Sequence, residues 1–285
     1  MGCRAELRTR FAPSPTGPLH LGHAFSALLA HDMARAAGGT FLLRIEDIDL
    51  ARCRPEWETR IFDDLHWLGL TWPEPVLRQS GDMASYARAL DRLAAMGLTF
   101  PCRCRRADIR AAFSAPQEGD VPTGPDGPVY PGTCRSRPMS EARPEDAIRL
   151  DMGKAMAVIG PVGYRETGGA APAICTAESR DMQTRVGDVV LARRDLGTSY
   201  HLAVVVDDAA QGISDVVRGE DLAEATPIHV LLQRLLGLPT PDYHHHRLIR
   251  DAAGRRLAKR DDARALAKYR AEGATVADVR RMVGL

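Results

Sequence analysis

The segment Arg10-Phe-Ala-Pro-Ser14-Pro-Thr-Gly-Pro-Leu-His20-Leu-Gly22-His23 leads from a short stretch, residues 6–11, into a long amphipathic one. Residues 6–11 are typical of a strand, and the prolines that follow make a turn, because proline has no N–H to donate to a ladder. From Leu21 to about Ala37 the apolar residues recur at helical spacing, and Gly38-Gly39 is a stop signal. This stretch therefore predicts a strand–turn–helix unit.

His20 and His23 lie at the start of the predicted helix. Backbone N–H groups and the helix dipole make such a start favourable for an anion, and a histidine can adjust its charge to a phosphate. On their spacing alone, two solvated histidines in a first helical turn are the simpler interpretation.

A second strand is predicted from Thr40 to Asp49, a run that is apolar at first and acidic at its end. Strand, helix and strand in this order indicate a βαβ unit, hence a parallel sheet with a right-handed crossover. Ligands of such sheets lie beyond the carboxyl ends of the strands. Arg10, Ser14 and Glu46 are then expected at one edge, where Glu46 could meet a ligand ammonium group. The alternative for Glu46 is an ordinary polar strand end.

The whole chain has the composition of a globular protein, with 285 residues, 45% hydrophobic and 26% charged residues, and a net charge of +1. This length allows one main domain plus an insertion, and the balanced charge leaves any RNA contact to a local patch. No apolar run is long enough for a membrane span, and the N-terminus lacks the features of a signal peptide or a myristoylation site. We expect a cytoplasmic monomer without membrane contact. Its six cysteines are too unevenly spaced for a disulfide framework.

The middle of the chain contains a cysteine group in a turn-rich stretch, after two predicted packing helices at 55–69 and 80–97. Cys102, Cys104 and Cys134 suggest a structural zinc site, since thiolates can pin a loop that is too polar to bury itself. Tetrahedral zinc takes four ligands. Tyr130 is the best-placed oxygen donor, and Asp126, Asp120 or water are alternatives. Free thiols are the competing interpretation.

The second half is predicted to return to the main sheet after a β-rich stretch at 147–194. The apolar run 198–208 is typical of a strand covered on both faces, residues 216–221 read as another strand end, and 227–236 as a helix. Tyr200 and Arg218 would then share the edge of Arg10 and Glu46, and arginine and tyrosine suit a carboxylate ligand. Taken singly, Tyr200 and Arg218 are each more simply interpreted as structural polar residues. The run 244–246, three histidines, alternates faces in a strand and is not predicted to bind metal.

A glycine-bearing basic loop, residues 251–260, follows the last predicted strand. Lys259, flanked by arginines, could close over a triphosphate and balance charge as pyrophosphate leaves. Taken alone, the loop is a basic surface run.

Together, His20-Leu-Gly-His23 and Arg256-Leu-Ala-Lys259-Arg260 resemble the two signature motifs of class I aminoacyl-tRNA synthetases. The proline-rich segment and Arg44-Ile-Glu-Asp-Ile-Asp49 are similar to the glutamyl enzymes. The resemblance covers nearly the whole chain. It implies an α/β fold, with a Rossmann-like parallel-sheet catalytic domain, an inserted zinc-containing α+β subdomain and a short helical C-terminal tail.

The resemblance also implies roles for individual residues. Three are implied to be catalytic: His20, His23 and Lys259. Glutamate is implied to be bound by Arg10, Ala12, Ser14, Glu46, Tyr200 and Arg218. ATP, with Mg²⁺, is implied to be bound by His20, Gly22, His23, Arg256 and Lys259. One structural zinc ion per chain is implied to be held by Cys102, Cys104, Tyr130 and Cys134. Two departures concern the lysine loop, where Ala258 replaces a common serine and Arg256 a lysine.

The expected domain division is 1–99 for the first half of the catalytic domain, 100–195 for the insertion, 196–245 for the second half and 246–285 for the signature loop and tail. Glutamyl-tRNA synthetases carry a large helical anticodon-binding part after the signature loop, whereas only a short tail follows Arg260 here. This pattern resembles the glutamyl-queuosine tRNA(Asp) synthetases, which attach glutamate to queuosine in the anticodon of tRNA(Asp). The alternatives are a truncated glutamyl-tRNA synthetase charging a 3′ end, a non-catalytic RNA-binding regulator, and a nucleotidyltransferase for another small acid.

Overall fold

The computed structural model describes residues 6–112, 122–250 and 264–285. The strands are β1 (Arg8–Phe11), β2 (Thr40–Ile45), β3 (Leu77–Arg78), β4 (Thr99–Cys102), β5 (Thr123–Gly124), β6 (Gly127–Pro128), β7 (Ala147–Leu150), β8 (Val162–Glu166), β9 (Ala173–Ala177), β10 (Val190–Ala192), β11 (Asp215–Gly219) and β12 (Asp242–His246). The α-helices are α1 (Leu21–Ala36), α2 (Pro55–Trp67), α3 (Met83–Ala95), α4 (Arg106–Ala112), α5 (Met152–Ile159), α6 (Ser179–Asp181), α7 (Tyr200–Ala210), α8 (Thr226–Leu235), α9 (Leu266–Ala271) and α10 (Val276–Val283).

The predicted strand–turn–helix–strand unit is confirmed. β1 and β2 pair in parallel, with Arg10 opposite Leu42, and α1 connects them. The return to β2 is tight, because the Thr40 N–H donates to the Leu7 carbonyl at 2.9 Å. A Cβ on Gly39 would lie 1.9 Å from the Leu7 carbonyl oxygen, so this close approach requires glycine.

The central parallel sheet is built from two groups of strands. β1, β2 and β3 form one sheet, and β11 and β12 pair in parallel in another. The two groups meet where the Ser214 N–H, just before β11, donates to the Arg8 carbonyl at 3.0 Å. The carboxyl ends of β1, β2 and β11 therefore point to one edge, and the α/β fold class is confirmed.

The predicted strand over residues 198–208 is wrong, because α7 occupies Tyr200–Ala210. Ser199 caps this helix, its hydroxyl accepting from the Leu202 N–H. Most of α7 is buried, so its sequence shows no polar stripe, and an apolar run of this length fits a buried strand equally well. Within the stretch 147–194, which was predicted to be rich in β-structure, residues 152–159 likewise form a helix, α5, which Asp151 caps.

The segment 100–195 contains the short hairpin of β5 and β6, strands of two further sheets, and short helices. β4, β7 and β10 form an antiparallel sheet, and the hairpin of β8 and β9 joins the edge of β12. β-structure over 147–194 was expected, and α5, α6 and one helical turn at Met182–Val186 interrupt it. The division into domains stays a prediction.

The helices predicted at 55–69, 80–97 and 227–236 are confirmed as α2, α3 and α8. The tail packs on the first helix, since Arg280 of α10 forms a two-bond ion pair with Asp32 of α1 at 2.7 and 2.9 Å. Among the residues that the structure describes, none of the helices has the length and apolar character to cross a bilayer.

Candidate active site

A cavity of about 550 Å³ opens at the carboxyl edge of β1, β2 and β11. Every predicted substrate-binding residue that the structure describes lines it: Arg10, Ala12, Ser14, His20, Gly22, His23, Glu46, Tyr200 and Arg218. The shared edge predicted from the order of strands is therefore realised, although Tyr200 reaches it from the start of a helix. The roles of these residues stay predictions.

The proline-rich turn is fixed to the end of β2. The Glu46 N–H donates to the Pro13 carbonyl at 3.0 Å, and further on the Arg54 N–H donates to the Pro15 carbonyl at 3.0 Å. The turn therefore extends the pairing of β1 and β2 by one hydrogen bond, and Ala12 and Ser14 lie at the cavity wall.

Arg10 is buried and held by a carboxylate that the sequence analysis missed. Its Nε and Nη2 donate to the two oxygens of Asp208 at 3.0 and 3.3 Å, and its Nη1 donates to the Val217 carbonyl. Arg44 donates to the same carboxylate at 2.7 Å. Burial alone would raise the pKa of Asp208, but the two guanidinium groups hold it below its ordinary value.

Glu46 faces the cavity with its side chain 10% exposed. One of its oxygens accepts from Nη2 of Arg44 at 3.1 Å. Burial raises the pKa of Glu46 above its ordinary value, although Arg44 and Arg10 oppose the shift. A ligand ammonium group would favour the ionised form that burial disfavours.

Arg218 is buried differently, since all of its hydrogen-bond acceptors are uncharged groups. Nη1 donates to the Tyr200 hydroxyl at 3.4 Å and to Nδ1 of His229 at 3.1 Å, and Nε donates to Nε2 of His245 at 3.2 Å. Nη2 donates to the Thr226 hydroxyl and the Leu222 carbonyl. Among the described residues no carboxylate pairs with it directly. A buried cation of this kind is suited to a ligand carboxylate.

The two histidines at the start of α1 cap the helix themselves. Nδ1 of His20 accepts from the Gly22 N–H, and Nδ1 of His23 accepts from the His20 N–H, both at 3.1 Å. The backbone N–H groups of His20 and Gly22 therefore donate to histidine rings and are not free for the anion that the sequence suggested at this helix start. Because each Nδ1 is an acceptor, a neutral ring carries its proton on Nε2. The two ring centroids are 3.8 Å apart beside the cavity.

The predicted signature loop, with Arg256, Ala258 and Lys259, lies outside the described residues. Both flanks of that stretch reach the cavity region. Ile249 lines the cavity, and the Leu266 N–H donates to the Leu19 carbonyl at 2.8 Å, next to His20.

The cysteine group is brought together as predicted. The sulfur atoms of Cys102, Cys104 and Cys134 lie within 4.8 Å of one another. The Tyr130 hydroxyl lies 3.4 Å from the sulfur of Cys102 and 3.6 Å from that of Cys104. Asp126, an alternative ligand in the sequence analysis, instead forms a hydrogen bond with His201. Asp120 lies outside the described residues.

The chemistry of this donor set fits zinc. Burial raises the pKa of the Cys104 thiol to about 11. Burial also opposes ionisation of Cys134, but hydrogen bonds from the Tyr130 hydroxyl and a backbone N–H lower its pKa to about 7. Thiolates are preferred zinc ligands, and a bound cation would ionise the remaining thiols.

The three consecutive histidines of β12 have different partners. Nδ1 of His244 faces the Thr167 hydroxyl at 3.1 Å, His245 contacts Arg218, and Nε2 of His246 faces the Ser26 hydroxyl at 2.5 Å. Their alternation in the strand agrees with the sequence prediction. His245 and His229, which hold Arg218, were missed there, as were Arg44 and Asp208. Two features of the sequence could have indicated them. Arg44 lies inside an otherwise apolar strand, and Asp208 belongs to a pair of acidic residues that ends an apolar run.

A family model described as "tRNA synthetases class I (E and Q), catalytic domain" matches residues 6–284. A relative from Rhodobacter capsulatus, named glutamyl-Q tRNA(Asp) synthetase, is 64% identical over 280 residues, which are 97% of this chain and 99% of the relative. A relative of the same name from Nitratidesulfovibrio vulgaris is 40% identical over 290 residues, covering 96% of this chain and 84% of the relative.

Solved structures give the same likeness. A glutamate tRNA ligase from Elizabethkingia meningosepticum, solved in complex with its amino acid, is similar with a TM-score of 0.70 at 29% sequence identity. A glutamate-tRNA synthetase from Elizabethkingia anophelis is similar with a TM-score of 0.72, also at 29%. Each match covers 90% of this chain, which spans about half of those solved chains, 52% and 53%.

Proposed function

We propose, from the premise that this chain belongs to the class I family of glutamyl- and glutaminyl-tRNA synthetases, that it activates L-glutamate with ATP and transfers it to queuosine in the anticodon of tRNA(Asp). The observation that carries the proposal is the cavity at the sheet edge. It combines two buried arginines, a glutamate whose side chain is 10% exposed, and the two histidines of the first signature motif. The queuosine acceptor is supported by the names of the two relatives, which match nearly the full chain.

The amino acid would occupy the part of the cavity between β1, β2 and β11. Arg10 and Arg218 are poised for its carboxylates, Glu46 for its ammonium group, and Tyr200 adds a directional hydroxyl. Ala12 and Ser14 complete this wall. ATP would lie beside it, next to His20, Gly22 and His23, with Arg256 and Lys259 supplied by the signature loop.

The first reaction is an in-line displacement. An oxygen of the α-carboxylate attacks the α-phosphorus of ATP, a new P–O bond forms, and the bond to the β-phosphate breaks, which yields glutamyl-adenylate and pyrophosphate. The nucleophile is already an anion, so no protein base is required. Positioning and charge neutralisation by His20, His23 and Lys259 would supply the catalysis. Mg²⁺ would accompany ATP and neutralise charge on its phosphates.

In the second reaction a hydroxyl of the acceptor takes the glutamyl group, and AMP leaves. One zinc ion per chain would be held by Cys102, Cys104 and Cys134, with the Tyr130 hydroxyl as the oxygen donor. Its contribution would be structural, since it would fix the loop 122–134 against β4.

Labelled glutamate offered to tRNA(Asp) with and without queuosine tests the acceptor. We expect labelling only of the queuosine-containing tRNA, and we expect it to persist when the 3′-terminal adenosine has been removed. Equal labelling of the two tRNAs would refute the proposed acceptor. Labelling that requires the terminal adenosine would instead identify an enzyme that charges a 3′ end.

Amino-acid-dependent exchange of pyrophosphate into ATP, without tRNA, tests the first reaction. Glutamate alone among a panel of amino acids should support it. Absence of exchange with any amino acid would favour a non-catalytic RNA-binding protein, and exchange with a different acid would replace glutamate as the substrate.

A further inference from the structure

Arg218 connects to two carboxylates of the segment 100–195 through histidine rings. One chain of hydrogen bonds runs from Nη1 of Arg218 to Nδ1 of His229 at 3.1 Å, and from that ring's Nε2 to Nδ1 of His201 at 3.0 Å. Nε2 of His201 then lies 3.0 and 3.1 Å from the two oxygens of Asp126. The four residues come from β11, α8, α7 and the turn between β5 and β6.

The polarity of this chain follows from its ends. Arg218 can only donate, so Nδ1 of His229 must accept and its proton must lie on Nε2. That N–H donates to Nδ1 of His201, which therefore has no proton, and the Nε2–H of His201 donates to the Asp126 carboxylate. Both rings are neutral in this arrangement. Consistently, burial and the charge of Arg218 place the pKa of His229 well below its ordinary value.

A second, shorter chain holds the other side of the guanidinium. Nε of Arg218 donates to Nε2 of His245, and Nδ1 of the same ring bonds to the carboxylate of Glu166 at the end of β8. The carboxylate is fixed in turn by the Gly168 N–H at 2.7 Å and the His245 N–H at 3.1 Å.

We infer that Asp126 and Glu166 are positioning residues for the substrate carboxylate, acting through His201, His229 and His245 to fix the orientation of Arg218. This inference rests on the proposed function, in which Arg218 binds a carboxylate of glutamate. It gives the segment 100–195 a role in amino-acid binding in addition to its cysteine group.

The geometry favours positioning over simple charge compensation. Arg218 and the two rings of the longer chain are buried, whereas the Asp126 side chain is 51% exposed at the far end. Because two neutral rings separate the Asp126 carboxylate from the guanidinium, the positive charge of Arg218 stays largely uncompensated. It can therefore still attract a ligand carboxylate. Each ring, however, accepts along one defined direction and so fixes the plane of the guanidinium.

The test compares Asp126→Ala with Asp126→Asn, which keeps an oxygen acceptor for His201. Asp195→Ala is the matched control, because Asp195 is also an exposed carboxylate and pairs only with Arg193 among the described residues. We expect Asp126→Ala to weaken glutamate binding about five- to tenfold with the affinity for ATP within about twofold. Asp126→Asn should restore most of the loss, and Asp195→Ala should behave as wild type.

Imidazole ¹⁵N–¹H correlation spectra supply a readout that needs no substrate. In the wild type, His201 and His229 should both carry their proton on Nε2, and Asp126→Ala should shift the His201 signals. A proton on Nδ1 of either ring in the wild type would overturn the chain. Unchanged glutamate affinity in Asp126→Ala would overturn the positioning role, as would an equal loss of glutamate and ATP affinity.

Failure of the proposed function would be recognised separately. A wild-type protein that binds no glutamate in calorimetry would refute that function before any variant is compared. The spectra would still decide whether the hydrogen-bond chain exists. If another carboxylic acid binds instead, the same variants tested with that acid decide the role of Asp126.

Discussion

Replacing Glu46 by glutamine removes one charge from the cavity with almost no change in shape. The Glu46 carboxylate is nearly buried, and Arg44, its partner at 3.1 Å, also bonds to Asp208 and Gln211. Arg44 therefore keeps acceptors in the variant. Because burial raises the pKa of Glu46, its ionised form is a cost to folding, and we expect Glu46→Gln to be as stable as the wild type or slightly more stable near pH 8.

The loss of ligand affinity should be much larger than any change in stability. A buried hydrogen bond between a carboxylate and an ammonium group contributes about 1.5–3 kcal/mol. This corresponds to about 10- to 150-fold weaker glutamate binding. Calorimetric titration of wild type and Glu46→Gln with glutamate measures it, and ATP affinity should not change.

Glutarate is the matched control ligand, because it has both carboxylates of glutamate and no ammonium group. Competition experiments should show that Glu46→Gln leaves glutarate binding nearly unchanged. If the variant weakens glutarate and glutamate by the same factor, Glu46 is not the partner of the ammonium group. The roles assigned to this side of the cavity would then be refuted.

The glutamate affinities of the wild type and of Glu46→Gln should depend on pH in different ways. Binding of the ammonium group requires ionised Glu46, whose pKa in the free protein is raised. Wild-type affinity for glutamate should therefore be complete above that raised pKa and decrease as the pH falls through it. Glu46→Gln should show no such decrease in this window.

Three further predictions concern other parts of the chain. Asp64 in α2 is 4% exposed, and burial raises its pKa to about 6, so the cost of ionising it reduces the stability of the fold as the pH rises from about 4 to about 6. Asp64→Asn should therefore raise the free energy of unfolding at pH 8 by up to about 3 kcal/mol and leave it unchanged near pH 3. Urea denaturation at the two pH values measures this. Cys134→Ala should remove most of the zinc found by elemental analysis, whereas the control Cys175→Ala, outside the cysteine group, should retain it. Lys259→Ala should slow glutamate-dependent pyrophosphate exchange by about 100-fold or more while glutamate affinity stays unchanged, with the exposed Lys154→Ala as control.

The order of elements made the edge of the sheet predictable. A strand, a proline-rich turn and a helix can be read from local spacing, and the rule for parallel sheets then places Arg10, Glu46 and Arg218 together. The prediction succeeded for Tyr200 although its element was wrong. Ser199 starts a helix at the same edge, and a helix that begins there carries its first residue to the same cavity.

Which groups hold these residues could not be predicted, because the partners are distant in sequence and no local pattern pairs them. Arg44 and Asp208 are separated by 164 positions, and nothing in either local pattern indicates that they meet. His229 lies in an amphipathic helix and is typical of a core histidine until Arg218 is seen beside it. Local spacing thus indicates which residues reach the cavity, and only the tertiary structure shows which groups hold them.

Under the proposed function, the distribution of buried charge would favour glutamate over glutamine. The carboxylates of Asp207, Asp208 and Glu46 are gathered around Arg10 and Arg44. Within the described part of the chain, Arg218 reaches carboxylates only through imidazole rings. A substrate carboxylate would supply the missing negative charge, and a neutral amide would leave the buried guanidinium uncompensated. An unmet charge of this kind costs about 2–3 kcal/mol, or roughly 30- to 150-fold in affinity. Histidine chains that hold Arg218 without neutralising it would preserve that discrimination, because a carboxylate placed directly on Arg218 would take the position of the substrate.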